Sequence, residues 1–252
     1  MARDTTNVAR SSRRRKVSPA DAGLRHPLAP ILGHALACAR VDFPGRKHIF
    51  GAHVEARRHP LVPELELFLL GEGVDLEAHV HAIVEADDTP MWAFAWAAGA
   101  ALARHLLDHP TLVRGLDVID FGAGSGIAGL AAARAGARSV VCVDLDAEAL
   151  VACAANAALN GLAITTATKR PERWDVALAA DVLYERSNAP ILTELAACEA
   201  ITLVGESNRP GTPRVSAGAL AVYDVRTFPD VDVPVTRAAI YRFEGHLGFE
   251  PA

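Results

Sequence analysis

The stretch VIDFGAGSG, from Val118 to Gly126, decides the fold of this chain. Its first residues have the pattern of a buried β-strand, and the glycines that follow have the pattern of a loop that leads into a helix. A strand that runs into a glycine-rich loop is typical of nucleotide-binding α/β proteins, because glycine lets the backbone approach a ligand closely. The stretch therefore predicts a nucleotide or nucleoside site at the end of this strand.

The glycines fit two motifs. Residues 124–129 match G-x-G-x-x-G, the dinucleotide fingerprint, whereas residues 120–126 match D-x-G-x-G-x-G, the first motif of class I S-adenosylmethionine methyltransferases. In a dinucleotide site the first glycine follows the strand directly, but here Gly122 already holds that place. A carboxylate at Asp120 would repel a pyrophosphate, whereas it could accept a hydrogen bond from the α-ammonium group of the methyl donor. The sequence therefore favours the methyl donor and leaves NAD as the alternative.

The next predicted strand ends at Asp144, about twenty residues beyond the loop. An acid at this position can bind both ribose hydroxyls of either cofactor, so it does not discriminate between them. We assign ribose binding to Asp144 and the capping of the next helix to Asp146. Gly122, Gly124 and Gly126 are expected to hold the amino-acid end and the ribose of the donor, where a Cβ would intrude.

Strand patterns and helix patterns alternate along the rest of the chain. Strands are predicted at 117–121, 139–144, 162–168, 174–180 and 201–206, and helices at 125–136, 146–160 and 188–198. Because such units with apolar, β-branched strands form parallel sheets covered on both faces, the sequence predicts an α/β fold. The last two strands, at 219–226 and 238–245, have no convincing helix between them, which predicts an antiparallel pair at the sheet edge.

One further helix is predicted ahead of the loop, from Met91 to about Asp108. Thr89 and Pro90 supply the cap and the first-turn proline of this helix. The helix pattern is apolar on most sides, so we expect the helix to be buried.

Charge is distributed unevenly along the 252 residues, whose formal net charge is −5. Residues 1–20 carry six basic side chains and one acid, so the remainder carries −10. We expect a disordered basic tail over 1–20, an N-terminal extension of uncertain structure over 21–60, and the main domain over 61–252. An acidic domain disfavours nucleic acid and favours a lysine-rich protein partner.

Several classes of protein are disfavoured by what the sequence lacks. No apolar run is long enough for a membrane span, and no secretory signal is visible near the start. The four cysteines have no metal-ligand spacing, and the pair His105 and His109 has no evident third ligand, so no metal site is predicted. Scattered, reduced thiols favour a cytoplasmic location.

Four motifs together carry a resemblance to a known family. In order they are W-A-x-x-W at 92–96, D-x-G-x-G-x-G at 120–126, N-x-x-x-N-G at 156–161 and D-x-x-Y at 181–184. With them, the chain over about 62–245 resembles the bacterial and mitochondrial electron-transfer-flavoprotein β-subunit lysine methyltransferases. The resemblance implies the seven-strand, Rossmann-like class I methyltransferase fold with an antiparallel C-terminal hairpin. It also implies S-adenosyl-L-methionine as cofactor and a protein lysine as methyl acceptor.

The resemblance also assigns roles to individual residues. It puts Trp96, with Gly99, beside the donor, and it puts Asp181 and Tyr184 beside the transferable methyl. We expect Asp181 to orient the incoming amine and Tyr184 to narrow the acceptor slot. Trp92 is left open between a core residue and a pocket wall. The two asparagines of N-x-x-x-N-G are given a structural role.

The chain departs from the family pattern at two places. The end of the third strand and the residues after it read TTATKRPER, which places no acid at the strand end to meet the adenine amine, so Thr168 or a backbone amide would take that contact. After the fifth strand the family reads G-D-P-G-R, whereas this chain has GESNRPG, in which Glu206 and Arg209 would keep the chemistry of that loop.

Three alternatives stay open at this stage. The same chemistry could act on a ribosomal protein or on a small nicotinamide-like amine. The chain could be a donor-binding module without turnover, although the intact motifs argue against it. It could also be an NAD-dependent oxidoreductase, although no hydride-handling acid or base is recognisable. The acceptor lysine, the number of methyl groups added and the oligomeric state are not predicted.

Overall fold

A computed structural model describes most of the expected domain. The described residues are 40–41, 54–71, 90–184, 187–197, 200–207, 209–210, 212, 214–231, 234–244 and 249–250. The expected disordered tail over 1–20, and most of the extension over 21–60, lie outside these residues. No helix in the described part of the chain combines the length and apolarity needed to cross a membrane.

The elements follow one another as strand–helix units framed by hairpins. The strands are β1 (Arg40–Val41), β2 (Val54–His59), β3 (Val62–Leu70), β4 (Asp117–Phe121), β5 (Ser139–Val143), β6 (Thr165–Ala167), β7 (Val176–Ala180), β8 (Ile201–Ser207), β9 (Arg214–Val215), β10 (Ala221–Asp224), β11 (Arg237–Phe243) and β12 (Phe249–Glu250). The α-helices are α1 (Ala97–Asp108), α2 (Ile127–Arg134), α3 (Ala147–Leu159) and α4 (Asn188–Ala197).

A seven-stranded sheet forms the centre of the molecule, in the order β10-β11-β8-β7-β4-β5-β6. The five strands from β8 to β6 are parallel to one another, whereas β11 is antiparallel to both of its neighbours. This arrangement confirms the predicted parallel sheet with its antiparallel C-terminal hairpin. The strand β4 has the bounds predicted from the sequence.

Helices cover both faces of this sheet. α1, α2 and α3 pack on one face, where Val118 and Leu178 belong to the core. α4 packs on the other face, where the core includes Ile119 and Ala179. Because neighbouring residues of a strand point to opposite faces, Val118 and Ile119 contribute to different clusters.

The chain changes direction across the sheet at β4. From β4 it proceeds through α2 to β5 and through α3 to β6, and it then crosses back to β7 on the other side of β4. In open α/β sheets, ligands bind at the carboxyl ends of the strands where such a reversal occurs. The loops after β4 and β7 therefore border the expected ligand cleft.

The helix predicted from Met91 starts later than expected. Met91–Ala93 form a short 3-10 helix, and α1 begins only at Ala97. Between them the chain is extended, because the N–H and C=O groups of Ala95 bond to Phe228 at 2.8 and 2.9 Å. Trp92 is therefore a core residue with 1% of its surface exposed, whereas Trp96 lies at the start of α1.

An N-terminal hairpin, β2–β3, packs against α3. It includes residues 54–60, which the sequence had assigned to the extension. Asn160 of α3's C-cap accepts from the N–H of Glu66 at 3.0 Å and donates to its carbonyl at 2.6 Å. Asn156 accepts from the N–H of Phe68 at 2.7 Å, so both asparagines hold the edge strand β3.

Candidate functional site

The glycine loop leaves β4 with three residues in the left-handed region. The φ angles are 65° at Gly122, 53° at Gly124 and 79° at Gly126, a conformation that other residues adopt only with strain. A Cβ at Gly122 would lie 2.7 Å from Val182 Cγ1, because the loops after β4 and β7 are in contact there. A Cβ at Gly124 would meet nothing within 4 Å, so Gly124 faces open space. The loop thus leaves an open space in front of Gly124 that a side chain there would fill. We call this space, with Gly122, Gly124 and Gly126, the cradle.

Asp120 lies beneath this loop rather than on its surface. The side chain is buried, and its Oδ2 accepts from the N–H of Gly129 in the first turn of α2 at 2.8 Å. A Cβ at Gly129 would lie 2.9 Å from that oxygen, which explains the glycine there. Burial raises the pKa of Asp120 to about 7. This placement favours a role in shaping the loop over direct contact with a ligand ammonium group.

Asp144 follows β5 and lies against the glycine loop. Its Oδ2 accepts from the N–H of Gly124 at 2.9 Å, and its Oδ1 accepts from the N–H of Asp146 at 2.9 Å. Burial raises the pKa of Asp144. Asp146 accepts from the N–H of Glu148 at 2.8 Å, which confirms the predicted cap of α3. Asp144 and Gly124, predicted separately, are therefore in direct contact.

Asp181 leaves β7 on the other side of the cleft. Its φ is 50°, a left-handed value that no other non-glycine residue in the described ranges adopts. Its buried carboxylate accepts from the N–H of Ala98 at 2.7 Å through Oδ2 and from the hydroxyl of Ser207 through Oδ1. Arg209 Nη1 lies 3.6 Å from Oδ1. Burial raises the pKa of Asp181, and the bond from Ser207 and the charge of Arg209 oppose this rise.

The first turn of α1 thus takes its caps from distant parts of the chain. The N–H of Ala98 bonds to Asp181, and the N–H of Ala97 bonds to Thr227 Oγ1 at 3.3 Å. A carboxylate at a helix N-terminus is also stabilised by the helix dipole. This turn positions Gly99 against α2, since a Cβ at Gly99 would lie 3.2 Å from Ile127 Cγ2.

Trp96 and Arg209 form a wall next to this turn. The indole N–H of Trp96 donates to the carbonyl of Met91 at 2.8 Å, which fixes the ring. Arg209 Cζ lies 5.4 Å from the centroid of that ring, within the range of a cation–π contact. Because Arg209 also faces Asp181, the three side chains are contiguous at the carboxyl edge of the sheet.

Tyr184 stands at the exposed end of the loop that follows Asp181. Its exposed fraction is 54%, whereas Val182 and Leu183 between them are buried. Glu206, at the end of β8, accepts from the N–H of Leu183 at 3.3 Å and so holds this loop. Burial, followed by the charge of Asp181, raises the pKa of Glu206 to about 8.

Two residues of the site were missed by sequence reasoning. Ser207 and Thr227 are buried and supply hydroxyls to Asp181 and to the start of α1. Neither lies in a motif, and a serine at a strand end gives no local signal of its partner. In the described ranges, no three His, Cys, Asp or Glu side chains are grouped in a way that could hold a metal ion.

Known proteins resemble this chain mainly across the central sheet. A family model described as ribosomal protein L11 methyltransferase (PrmA) matches residues 101–203. The electron transfer flavoprotein beta subunit lysine methyltransferase of Xenopus laevis is 34% identical over 148 residues, which are 56% of this chain and 60% of the relative. The protein of the same name from Homo sapiens is 32% identical over 168 residues, or 60% of this chain and 61% of the relative. This chain thus spans about three fifths of the length of these relatives.

One solved structure in the comparison is the ribosomal protein L11 methylase of Lactobacillus delbrueckii subsp. bulgaricus. It is 22% identical with a TM-score of 0.40, and the match covers 60% of this chain and 83% of that chain.

The strand order and the glycine loop are those of the class I S-adenosylmethionine-dependent methyltransferase fold, and the sequence is similar to methyltransferases over part of its length. The electron transfer flavoprotein beta subunit lysine methyltransferases are among these similar proteins.

Proposed function

We propose that the protein transfers a methyl group from S-adenosylmethionine to the ε-amino group of a lysine in a protein acceptor, the electron transfer flavoprotein beta subunit or a similar protein. The observation that carries this proposal is what stands where the order of the sheet reverses. The glycine loop with open space at Gly124 follows β4, and the wall of Trp96, Arg209 and Asp181 stands at the same carboxyl edge of the sheet. The sequence similarity to lysine methyltransferases supports the acceptor.

The donor side fits S-adenosylmethionine. Each oxygen of Asp144 accepts one backbone N–H, which leaves lone pairs for the ribose hydroxyls. The next residue, Leu145, is 91% exposed and offers an apolar surface beside the ribose position, where it would cover the adenine. We therefore assign ribose to Asp144, adenine packing to Leu145, and the amino-acid end to the cradle at Gly124.

The same loop argues against NAD. A pyrophosphate needs free backbone N–H groups at the loop and at the helix N-terminus. Here the N–H groups of Gly122 and Ala123 bond to Val143 O at 2.9 and 3.2 Å, and that of Gly126 bonds to Ala123 O at 2.7 Å. The N–H groups of Gly124 and Gly129 bond to carboxylates. A dianionic group would find these five donors already bonded and two acids close by.

The acceptor side fits a neutral amine. A lysine ammonium has no lone pair, so it must lose its proton before it attacks the methyl group. Arg209 places a positive charge in the wall, and this charge lowers the pKa of a neighbouring amine. When bound, the donor supplies a methyl group already activated by its sulfonium, and the face of Trp96 suits that cation.

Asp181 and Tyr184 complete the acceptor slot. Asp181 has three protein partners, so we propose that it fixes the wall and the start of α1 and orients the amine through them. Tyr184 is exposed on the loop after β7, and we propose that it contacts the acceptor chain. When the donor and the acceptor lysine are both held in the site, most of the rate gain comes from alignment of the attacking nitrogen, the methyl carbon and the sulfur of the donor.

A ribosomal protein is the second candidate acceptor, since the matched family model is named for ribosomal protein L11 methylation. That match includes Asp181 and Tyr184 but not Trp96, Ser207 or Arg209, so it does not cover the whole acceptor wall and does not distinguish between the two acceptors. The free, buried thiols of Cys142 and Cys153 support the further proposal that the protein works in the reducing cytoplasm.

The test is labelling of purified acceptors. The full chain is incubated with methyl-labelled S-adenosylmethionine and either electron transfer flavoprotein or ribosomal protein L11, and the labelled residues are located by mass spectrometry. We expect label on lysine of the flavoprotein beta subunit. Label on L11 alone would overturn the acceptor, and failure of calorimetry to detect donor binding would overturn the function.

A further inference from the structure

We infer that Asn156 is a positioning residue for the donor loop, and that it transmits support from the β2–β3 hairpin to that loop. Its side chain is fully buried at 0% exposure. Its Oδ1 accepts from the N–H of Phe68 at 2.7 Å, and its Nδ2 donates to the carbonyl of Ser125 at 2.8 Å. One amide therefore joins the hairpin to the centre of the glycine loop. The inference rests on the proposed function only in taking S-adenosylmethionine as the ligand of the loop.

The contact with the loop is separate from the attachment of the hairpin. Asn160, one turn further along, holds β3 through both backbone groups of Glu66, and its other side-chain hydrogen bonds join Asn156 and Arg134 rather than the glycine loop. Asn156 holds β3 at Phe68 and, in addition, bonds to the loop. Both asparagines thus attach the β2–β3 hairpin to α3, but only Asn156 of the two also bonds to the glycine loop.

Ser125 lies between Gly124 and Gly126, which both have positive φ. Glycine is the residue with the widest choice of backbone conformations, so this part of the loop depends on outside contacts to hold one conformation. The Nδ2 group of Asn156 fixes the direction of the Ser125 carbonyl, and Cys153 donates through Sγ to the carbonyl of Gly124 at 3.4 Å. α3 therefore holds two successive loop carbonyls. A loop held in its binding conformation loses less entropy when the ligand arrives.

Two alanine variants of the full chain separate the two tasks. Asn156→Ala should weaken S-adenosylmethionine binding, measured by calorimetry, by about tenfold or more, since a buried polar group loses its partner. Asn160→Ala, the matched control, should change the dissociation constant by less than about threefold while lowering thermal stability in the same way. Equal effects of the two variants on donor affinity would overturn the inference.

A third variant guards against a general folding defect. In Asn156→Asp the side chain still accepts from the N–H of Phe68, but an ionised carboxylate cannot donate to Ser125. A protonated one can, so donor affinity relative to wild type should recover as the pH falls from about 8 to about 6. Asp144 bonds to the loop and Asp120 to the first turn of α2 just after it, and the thiols of Cys142 and Cys153 lie close by. The ratio to wild-type affinity at each pH removes any effect that these groups have in both proteins. A ratio independent of pH would contradict the inference.

Hydrogen exchange without ligand distinguishes failure of this inference from failure of the proposed function. Asn156→Ala should accelerate exchange of the Gly126 amide, which bonds to the carbonyl of Ala123 at 2.7 Å, whereas Asn160→Ala should not. If wild type binds no donor but this difference is present, the proposed function fails and the positioning role stands. If wild type binds and methylates but the exchange rates do not differ, the positioning role fails alone.

Discussion

The carboxylate of Asp181 accepts a hydrogen bond from the backbone N–H of Ala98, 83 residues earlier in the chain, at 2.7 Å. Asp181 thereby connects the carboxyl end of β7 to the start of the helix that carries Trp96 and Gly99. The same carboxylate accepts from the hydroxyl of Ser207 and faces Arg209. One residue thus joins the start of α1 to the end of β8 and to the loop that follows it.

Replacing Asp181 should damage stability and transfer together. Asp181→Ala leaves the N–H of Ala98 without its acceptor and removes the carboxylate that faces Arg209, so the free energy of unfolding should fall by about 2–4 kcal/mol. Asp181→Asn can still accept from Ala98 and should recover part of that loss. Urea denaturation and labelled methyl transfer are the measurements. An alanine variant as stable as wild type would contradict the capping role.

Replacement of each of the two acids that follow β5 should have a different effect on the affinity for the donor. Asp144→Ala removes the proposed ribose ligand and releases the N–H of Gly124, so the dissociation constant for S-adenosylmethionine should rise about 10- to 100-fold. Asp146→Ala removes only the cap of α3 and should cost about 1 kcal/mol of stability with donor affinity unchanged. Calorimetry and thermal unfolding separate the two. Similar affinities for both variants would exclude the ribose assignment.

A methyl group added at Gly124 should block the cradle. Gly124→Ala carries a strain of about 1–2 kcal/mol, because φ is 53°, and its Cβ projects into the open space in front of the loop. Gly115→Ala is the matched control, with φ of 74° and equally open surroundings, before β4. Both variants should lose similar stability, but only Gly124→Ala should lose donor binding. Normal donor binding by Gly124→Ala would show that the donor does not bind in front of Gly124.

The free energy of unfolding should fall as the pH rises from about 4.5 to about 8. The pKa of Glu206 is raised from 4.5 to about 8, so between these values the folded chain keeps a proton that the unfolded chain has lost. The free energy of unfolding therefore decreases as pH rises through this window, and Asp120, with its pKa near 7, adds to the decrease. Glu206→Gln should be more stable than wild type at pH 8.5 by about 1–3 kcal/mol and closer to it at pH 5. Parallel pH profiles from chemical denaturation would contradict this.

Local patterns in the sequence predicted those parts of the fold that depend on local physics. The strand β4 was predicted at its observed bounds, because an apolar, β-branched run stands between turn residues. Asp146 was predicted as a cap because its position and type suffice for that role. The order of strand and helix patterns sufficed for the parallel sheet and its antiparallel end.

The predictions that were incorrect or incomplete concern features that depend on contacts between residues far apart in the sequence. The start of α1 was wrong because the bridge between Ala95 and Phe228 holds the preceding residues extended, and nothing near Ala95 in the chain encodes it. The sequence places Asp120 at a strand tip but does not show its partner, the N–H of Gly129, which α2 brings against the carboxylate because Gly129 has no side chain. The partners of Asp181 come from α1 and β8, which a motif does not specify.

The capping of α1 has a consequence for biosynthesis. The first two N–H groups of this helix are held by Asp181 and Thr227, so a ribosome-bound chain that has not yet emerged past residue 227 lacks one of the groups that order the helix start. The hydrogen bonds that join the glycine loop to Asp144 and to α3 involve neither residue and are encoded earlier. The start of α1 would thus be capped only after synthesis has passed residue 227, whereas these contacts of the glycine loop can form before then.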